Sequence, residues 1–191
     1  MDRTTVREHL NWCYANLAMA HSAIEGKSQS SKYRPVHFMI RAKLYKGLND
    51  GSMATRSLFD DEKEKMKSDT CCCFCGSTEN LSIDHLLPRK KGGMDEGDNL
   101  ILACRSCNSS KGKKDLLEWY DFKGEFPPLL ILRRYLKLLI KYCSDQNLME
   151  MNWEDAQELD VPFNLKFLPE KFPAPASLIF KNNPLTTSPS K

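Results

Sequence analysis

No stretch of this chain approaches the roughly 18 consecutive apolar residues that a membrane-spanning helix requires. The best candidate, LLILRRYLKLLI, is interrupted by Arg133, Arg134 and Lys137. No secretory leader is expected either, because Asp2, Arg3, Arg7, Glu8 and His9 break up the first apolar residues. A cytoplasmic location without a membrane partner is therefore expected. Charge of one sign is also scarce: the net charge is +3, which by itself points to no partner. The sequence contains no internal repeat. With 41% hydrophobic and 28% charged residues over 191 positions, it reads as a globular chain built as one integrated unit.

What the chain does have is cysteine, eight in all. In a reducing compartment these argue against a disulfide framework and for metal ligation. The pattern is Cys72-x2-Cys75, then 28 residues, then Cys104-x2-Cys107. Two such turns present two pairs of thiolates, and four thiolates complete a tetrahedral zinc site. Gly76 follows the first pair and suits a tight knuckle turn. Cys71 and Cys73 lack the required spacing and are expected to be bystanders. A redox Cys-x-x-Cys is the rival reading, disfavoured by the second matching pair and by the lack of a surrounding βαβ pattern. The cysteines are thus expected to form a structural frame, with the chemistry elsewhere.

Apolar periodicity predicts an α+β protein that is mostly helical. Val6, Leu10, Cys13, Leu17, Ala20 and Ile24 mark a first helix ending at Gly26. A polar loop is expected over 27–34. Residues 36–48 suggest a second helix, and TRSLFDDEKEKMKSD a charged, solvated one. LSIDHLL and NLILAC read as antiparallel strands around a glycine-rich loop, followed by a helix over 106–120. Pro127 and Pro128 open a long helix through about Cys143, with Leu129, Leu132, Leu136, Leu139 and Ile140 on its core face. Arg134, Lys137 and Lys141 share another face, read as a solvated stripe or, less simply, a phosphate-contacting surface. The expected organisation is a helical region over 1–68, a ββα core over 69–120, a second helical region over 121–172 and a disordered tail over 173–191.

Between the cysteine pairs lie Asp84 and His85, then Asn99, with Asn108 immediately after Cys107. Taken singly, these are an ordinary surface pair, a turn residue and a helix cap. Taken together, CCFCG, IDHLLPRKKGG and DNLILACRSCNSSKG stand in the order of the HNH endonuclease family, the ββα-metal nucleases, and residues 69–120 resemble its branch framed by a four-cysteine zinc site. The family name implies a histidine at the third position, where this chain has Asn108, as some branches do.

That resemblance implies a metal-dependent endonuclease hydrolysing phosphodiester bonds, with DNA favoured over RNA. His85 would act as general base, since an imidazole can take a proton from water near neutral pH. Asp84 and Asn108 would hold one divalent cation on the scissile phosphate, and their oxygens favour Mg²⁺ or Mn²⁺. The resemblance assigns Asn99 to orienting the histidine and bracing the loop. Lys111, one turn beyond Asn108, together with Arg89 and Lys90, is expected to contact phosphate. These belong to a basic window over 85–114 that carries four more positive than negative charges. The competing reading is a zinc-knuckle module that binds nucleic acid without cutting it. The flanking helices leave room for a homodimer, or for a larger partner in a restriction or antiviral assembly.

Overall fold

The computed structural model describes residues 3–26, 32–66 and 70–184. Parts of the 27–34 loop (27–31), of the charged segment (67–69) and of the tail (185–191) lie outside the described residues. Helix α1 (Val6–Glu25) starts at a reciprocal cap. Glu8 N donates to Thr5 Oγ1, and the Glu8 carboxylate accepts from Thr5 N. It stops at Gly26, and its stripe of Val6, Leu10, Cys13, Leu17 and Ala20 is buried. Helix α2 (Pro35–Asn49) begins on a proline and packs along α1. Helix α3 is Leu58–Met66.

Strands β1 (Leu81–His85) and β2 (Leu100–Cys104) pair antiparallel, with Leu81 opposite Cys104 and His85 opposite Leu100. Both lie within the runs LSIDHLL and NLILAC that the sequence marked as strands. A two-stranded sheet is too small to be stable by its own burial. One face is covered by α4 (Arg105–Lys111), whose first turn is capped by Cys104.

The single helix expected over 106–120 is two helices. Gly112, at φ 51°, ends α4 in a conformation that residues with a Cβ rarely adopt. Asp115 then caps α5 (Leu116–Phe122) by accepting from Leu117 N and Glu118 N.

Helix α6 (Leu129–Asp145) carries the leucine stripe as foreseen, with Leu129, Leu132, Leu136 and Leu139 fully buried. One apolar cluster runs from Leu10 and Leu17 on α1, through Leu132, Tyr135 and Leu136 on α6, to Phe74, Leu86 and Ile101 in the cysteine-framed module. A short α7 (Trp153–Ala156), unforeseen in the sequence, joins the start of α1 through Trp153 N donating to Thr4 O. Among the described residues no helix is long and apolar enough to cross a membrane.

Two charge assignments are corrected. Asp61 on α3, read as part of a solvated face, is 1% exposed and pairs with Arg133 and Lys137 of α6 at 2.7 and 2.8 Å. Arg134 and Lys137, read as a solvated or phosphate-facing stripe, are each 4% exposed. A charge run looks the same in sequence whether water or an opposite charge covers it. The tail expectation is corrected as well for 173–184: Leu178 is buried with Leu129 and Ala20, and Leu129 N and Leu130 N donate to the carbonyls of Ile179 and Phe180. The orphan amides that open α6 thereby gain partners.

Candidate functional site

The sulfurs of Cys72, Cys75, Cys104 and Cys107 all lie within 4.8 Å of one another, and none is in a disulfide. Cys75 Sγ and Cys104 Sγ are 3.8 Å apart. A tetrahedron with metal–sulfur bonds of about 2.3 Å has edges of about 3.8 Å, so the set can hold zinc. Backbone bonds shape the first turn: Gly76 N donates to Cys72 O and Cys72 N to Ser77 O, both at 2.7 Å. Phe74, inside that turn, packs edge-on against Trp119 of α5 at 5.0 Å and pins the knuckle to the core. Burial pushes the Cys75 and Cys107 thiols up. Gathering four sulfurs there is favourable for thiolates only with a cation among them. Cys71 and Cys73 stand outside the cluster; Cys71 Sγ donates weakly to Asn182 O at 3.8 Å.

At the end of β1 an open cleft of about 370 Å³ is lined by Asp84, His85, Pro88, Arg89, Lys90, Asn108, Gly112 and Lys113. Five of the expected site residues thus share one surface. Pleating puts Asp84 on the face of β1 that α4 covers, while Ile83, its neighbour, is 64% exposed on the other. Asp84 Oδ1 accepts from His85 N at 2.7 Å. Its Oδ2 is buried and makes no hydrogen bond, although Lys111 Nζ stands 3.2 Å away as an ion pair. Asn108 Nδ2 donates to Ser82 Oγ at 3.1 Å and, more weakly, to Ile83 O at 3.5 Å. That anchors the nitrogen end of the amide on β1 and leaves its oxygen as the end for a ligand. A carboxylate oxygen that makes no hydrogen bond and an amide oxygen are donors that a hard divalent cation takes.

His85 Nε2 lies 2.9 Å from Asp95 Oδ1. With the proton on Nε2, His85 donates to Asp95, and Nδ1 keeps the lone pair a base needs. The sequence reading missed Asp95, because nothing in the spacing of KKGGMDEGD sets it apart from Glu96 and Asp98; only the folded loop brings it back over the strand end. That return depends on Gly93, where a Cβ would lie 1.8 Å from Leu87 O.

Two expected site residues are elsewhere. Asn99 is 2% exposed, and its side-chain hydrogen bonds go to the loop. Its Oδ1 accepts from Leu87 N at 2.8 Å, and its Nδ2 donates to Leu87 O and Met94 O at 2.9 and 2.8 Å. It braces both ends of the loop, but the partner of the histidine is Asp95. Lys111 is 0% exposed, so it is no phosphate contact. Its Nζ donates to His85 O at 2.6 Å and faces Asp84. Burial pulls its ammonium below the ordinary lysine range, and Asp84 opposes that. The place given to Lys111 in the cleft belongs to Lys113, which sequence position alone did not single out.

The family model that matches this chain is described as HNH endonuclease and covers residues 71–114. The CRISPR-associated endonuclease Cas9 of Corynebacterium diphtheriae is a similar curated protein, 36% identical over 52 residues. That alignment takes in 25% of this chain and 5% of the relative's length. No solved structure matches. The paired cysteines, the antiparallel strands and the short helix all fall within residues 71–114, the segment that matches the HNH endonuclease family model.

Proposed function

We propose that the chain is a metal-dependent endonuclease that hydrolyses phosphodiester bonds of nucleic acid, with DNA the favoured substrate. The observation that carries this reading is the convergence of Asp84, His85 and Asn108 in one cleft whose rim bears Arg89, Lys90 and Lys113. A module that only bound nucleic acid would need the basic rim and no general base.

In this mechanism Arg89, Lys90 and Lys113 draw the phosphate backbone to the cleft mouth. Asp95 holds the Nε2 proton, so His85 can take a proton at Nδ1 from the water that attacks phosphorus. Asp84 and Asn108 would hold Mg²⁺ or Mn²⁺, which when bound supplies positive charge against the negative charge growing on the phosphate and the leaving oxygen. Lys111 stays behind the site, fixing the His85 carbonyl and the Asp84 carboxylate. The four cysteines would hold zinc as the frame and leave the reaction to the cleft.

The test incubates protein that keeps its four-cysteine zinc but has been stripped of weakly held divalent cations with supercoiled plasmid and with single-stranded RNA, adding Mg²⁺, Mn²⁺ or Zn²⁺. Cleavage of the plasmid with Mg²⁺ or Mn²⁺ is expected. His85→Ala should lower the rate by about 10²- to 10⁴-fold while zinc content and plasmid binding persist. A His85→Ala protein that cuts at the wild-type rate would overturn the assignment, and cleavage of RNA alone would overturn the DNA preference.

A further inference from the structure

Arg134 lies on α6, outside the 71–114 segment, and is almost wholly buried. Its side chain runs to the backbone of the nuclease loop. Nε donates to Asp98 O and one terminal nitrogen to Gly97 O, each at 2.6 Å. The same nitrogen pairs with Glu62 of α3. Gly97 and Asp98 form the 3₁₀ turn that delivers Asn99 into strand β2. Asn99 in turn holds the whole active loop: its backbone oxygen accepts from Leu86 N at 2.9 Å, and its side chain ties Leu87 to Met94. Leu86 follows His85 directly, and Met94 precedes the Asp95 that grips the imidazole.

Resting on the proposed nuclease reading, we propose that Arg134 is a positioning residue for the active site, a guanidinium on a flanking helix that sets the loop carrying the His85–Asp95 pair. Planar donors at fixed angles suit two adjacent carbonyls, a geometry an ammonium on a flexible stem reproduces poorly. Leu86 and Leu87 share the apolar cluster with α6, but apolar packing fixes no angle for the turn, and on the Gly92–Met94 side the loop and α6 part around a cavity of about 300 Å³ lined by Leu138, Lys141 and Tyr142. The flanking helices are in this account part of the nuclease and more than a surface for a partner. The neighbouring Lys137 serves as an internal contrast. It is equally buried on the same helix, but donates to Ser57 O and pairs with Asp61, so it ties α6 to the α3 side without reaching the loop.

The experiment uses the full zinc-loaded chain and compares Arg134→Met, Arg134→Lys and Lys137→Met with wild type. Amide hydrogen exchange is followed at Leu86 and Leu87, and kcat and KM are measured on supercoiled plasmid. Both Arg134 variants should exchange faster at these two amides. Their kcat should fall by about 10²-fold for Met and about tenfold for Lys, with KM little changed, because a displacement of about 1 Å at a reacting group is enough for such losses. Lys137→Met should lower the thermal midpoint while exchange at Leu86 and Leu87 and kcat hold. If Arg134→Met does not fold, Arg134→Lys decides. Unchanged exchange in a folded Arg134 variant overturns the proposal, as does a Lys137→Met protein that shows the same changes. A wild type that cuts no nucleic acid would sink the functional reading instead, and the exchange data would still decide whether Arg134 sets the loop.

Discussion

The cysteine-framed module and the helical layer behind it share one apolar cluster, yet they are held by different forces. In α1 and α6 the interior is leucine, tyrosine and alanine at helical spacing, and burial of apolar surface stabilises it. In the module a two-stranded sheet and a seven-residue helix bury little, and the fixed points are polar: four sulfurs, the Asn99 side chain, the Lys111 ammonium. The lesson is that a catalytic surface must stay open on one side. The residues facing it are therefore positioned by directed bonds and by a cysteine set fit to hold a metal, where the helices rely on bulk packing.

The sharpest way to break that comparison is to remove the frame. Structural zinc sites contribute about 10 kcal/mol or more of apparent folding free energy, so Cys104→Ser or strong chelation should dismantle the module while most helical circular dichroism survives. Folded, active protein without zinc, read by elemental analysis, would show that the sulfurs are not the frame. A smaller effect is expected at Lys111. Replacing it by Met leaves the Asp84 carboxylate buried without its partner, which should destabilise Mg²⁺-free protein by about 3–5 kcal/mol in denaturant titration. On the helical side, Leu132→Ala should lose about 2–5 kcal/mol of stability with zinc content unchanged. The smallest effect belongs to the rim. Arg89→Ala should reduce the slope of log affinity for duplex DNA against log salt by about 0.9, whereas Lys111→Met should leave that slope where it is. Equal slopes for wild type and Arg89→Ala would remove Arg89 from the binding surface.

These contrasts also mark how far the sequence could be read. The helices at 6–25 and 129–145, the two strands and the four cysteines were legible because each depends on spacing along the chain, and spacing translates directly into a face or a ligand pair. Asp84, His85 and Asn108 were legible as candidates from their order within that frame, and the fold gathers them into one cleft. The break at Gly112 was not foreseen, because the apolar residues that marked the helix, Leu116, Leu117, Trp119 and Tyr120, all follow it, and Asp115 shows its capping role only once α5 has turned away. The short α7 escaped notice because four residues hold no periodicity.

By itself, then, the sequence determined the elements, the metal frame and the short-range pairs, since covalent proximity and helical or strand periods decide those before any tertiary contact forms. Tertiary structure alone decided the fate of the long charged side chains and the partner of the histidine. Lys111, Arg134 and Lys137 look in sequence like Arg89 and Lys90, but three are buried against carboxylates and carbonyls and two face the cleft. Whether a flexible cation meets water, a phosphate or a buried acid depends on what packs over it. Here that is set by chain segments as much as 80 residues away, as Ser57 is from Lys137.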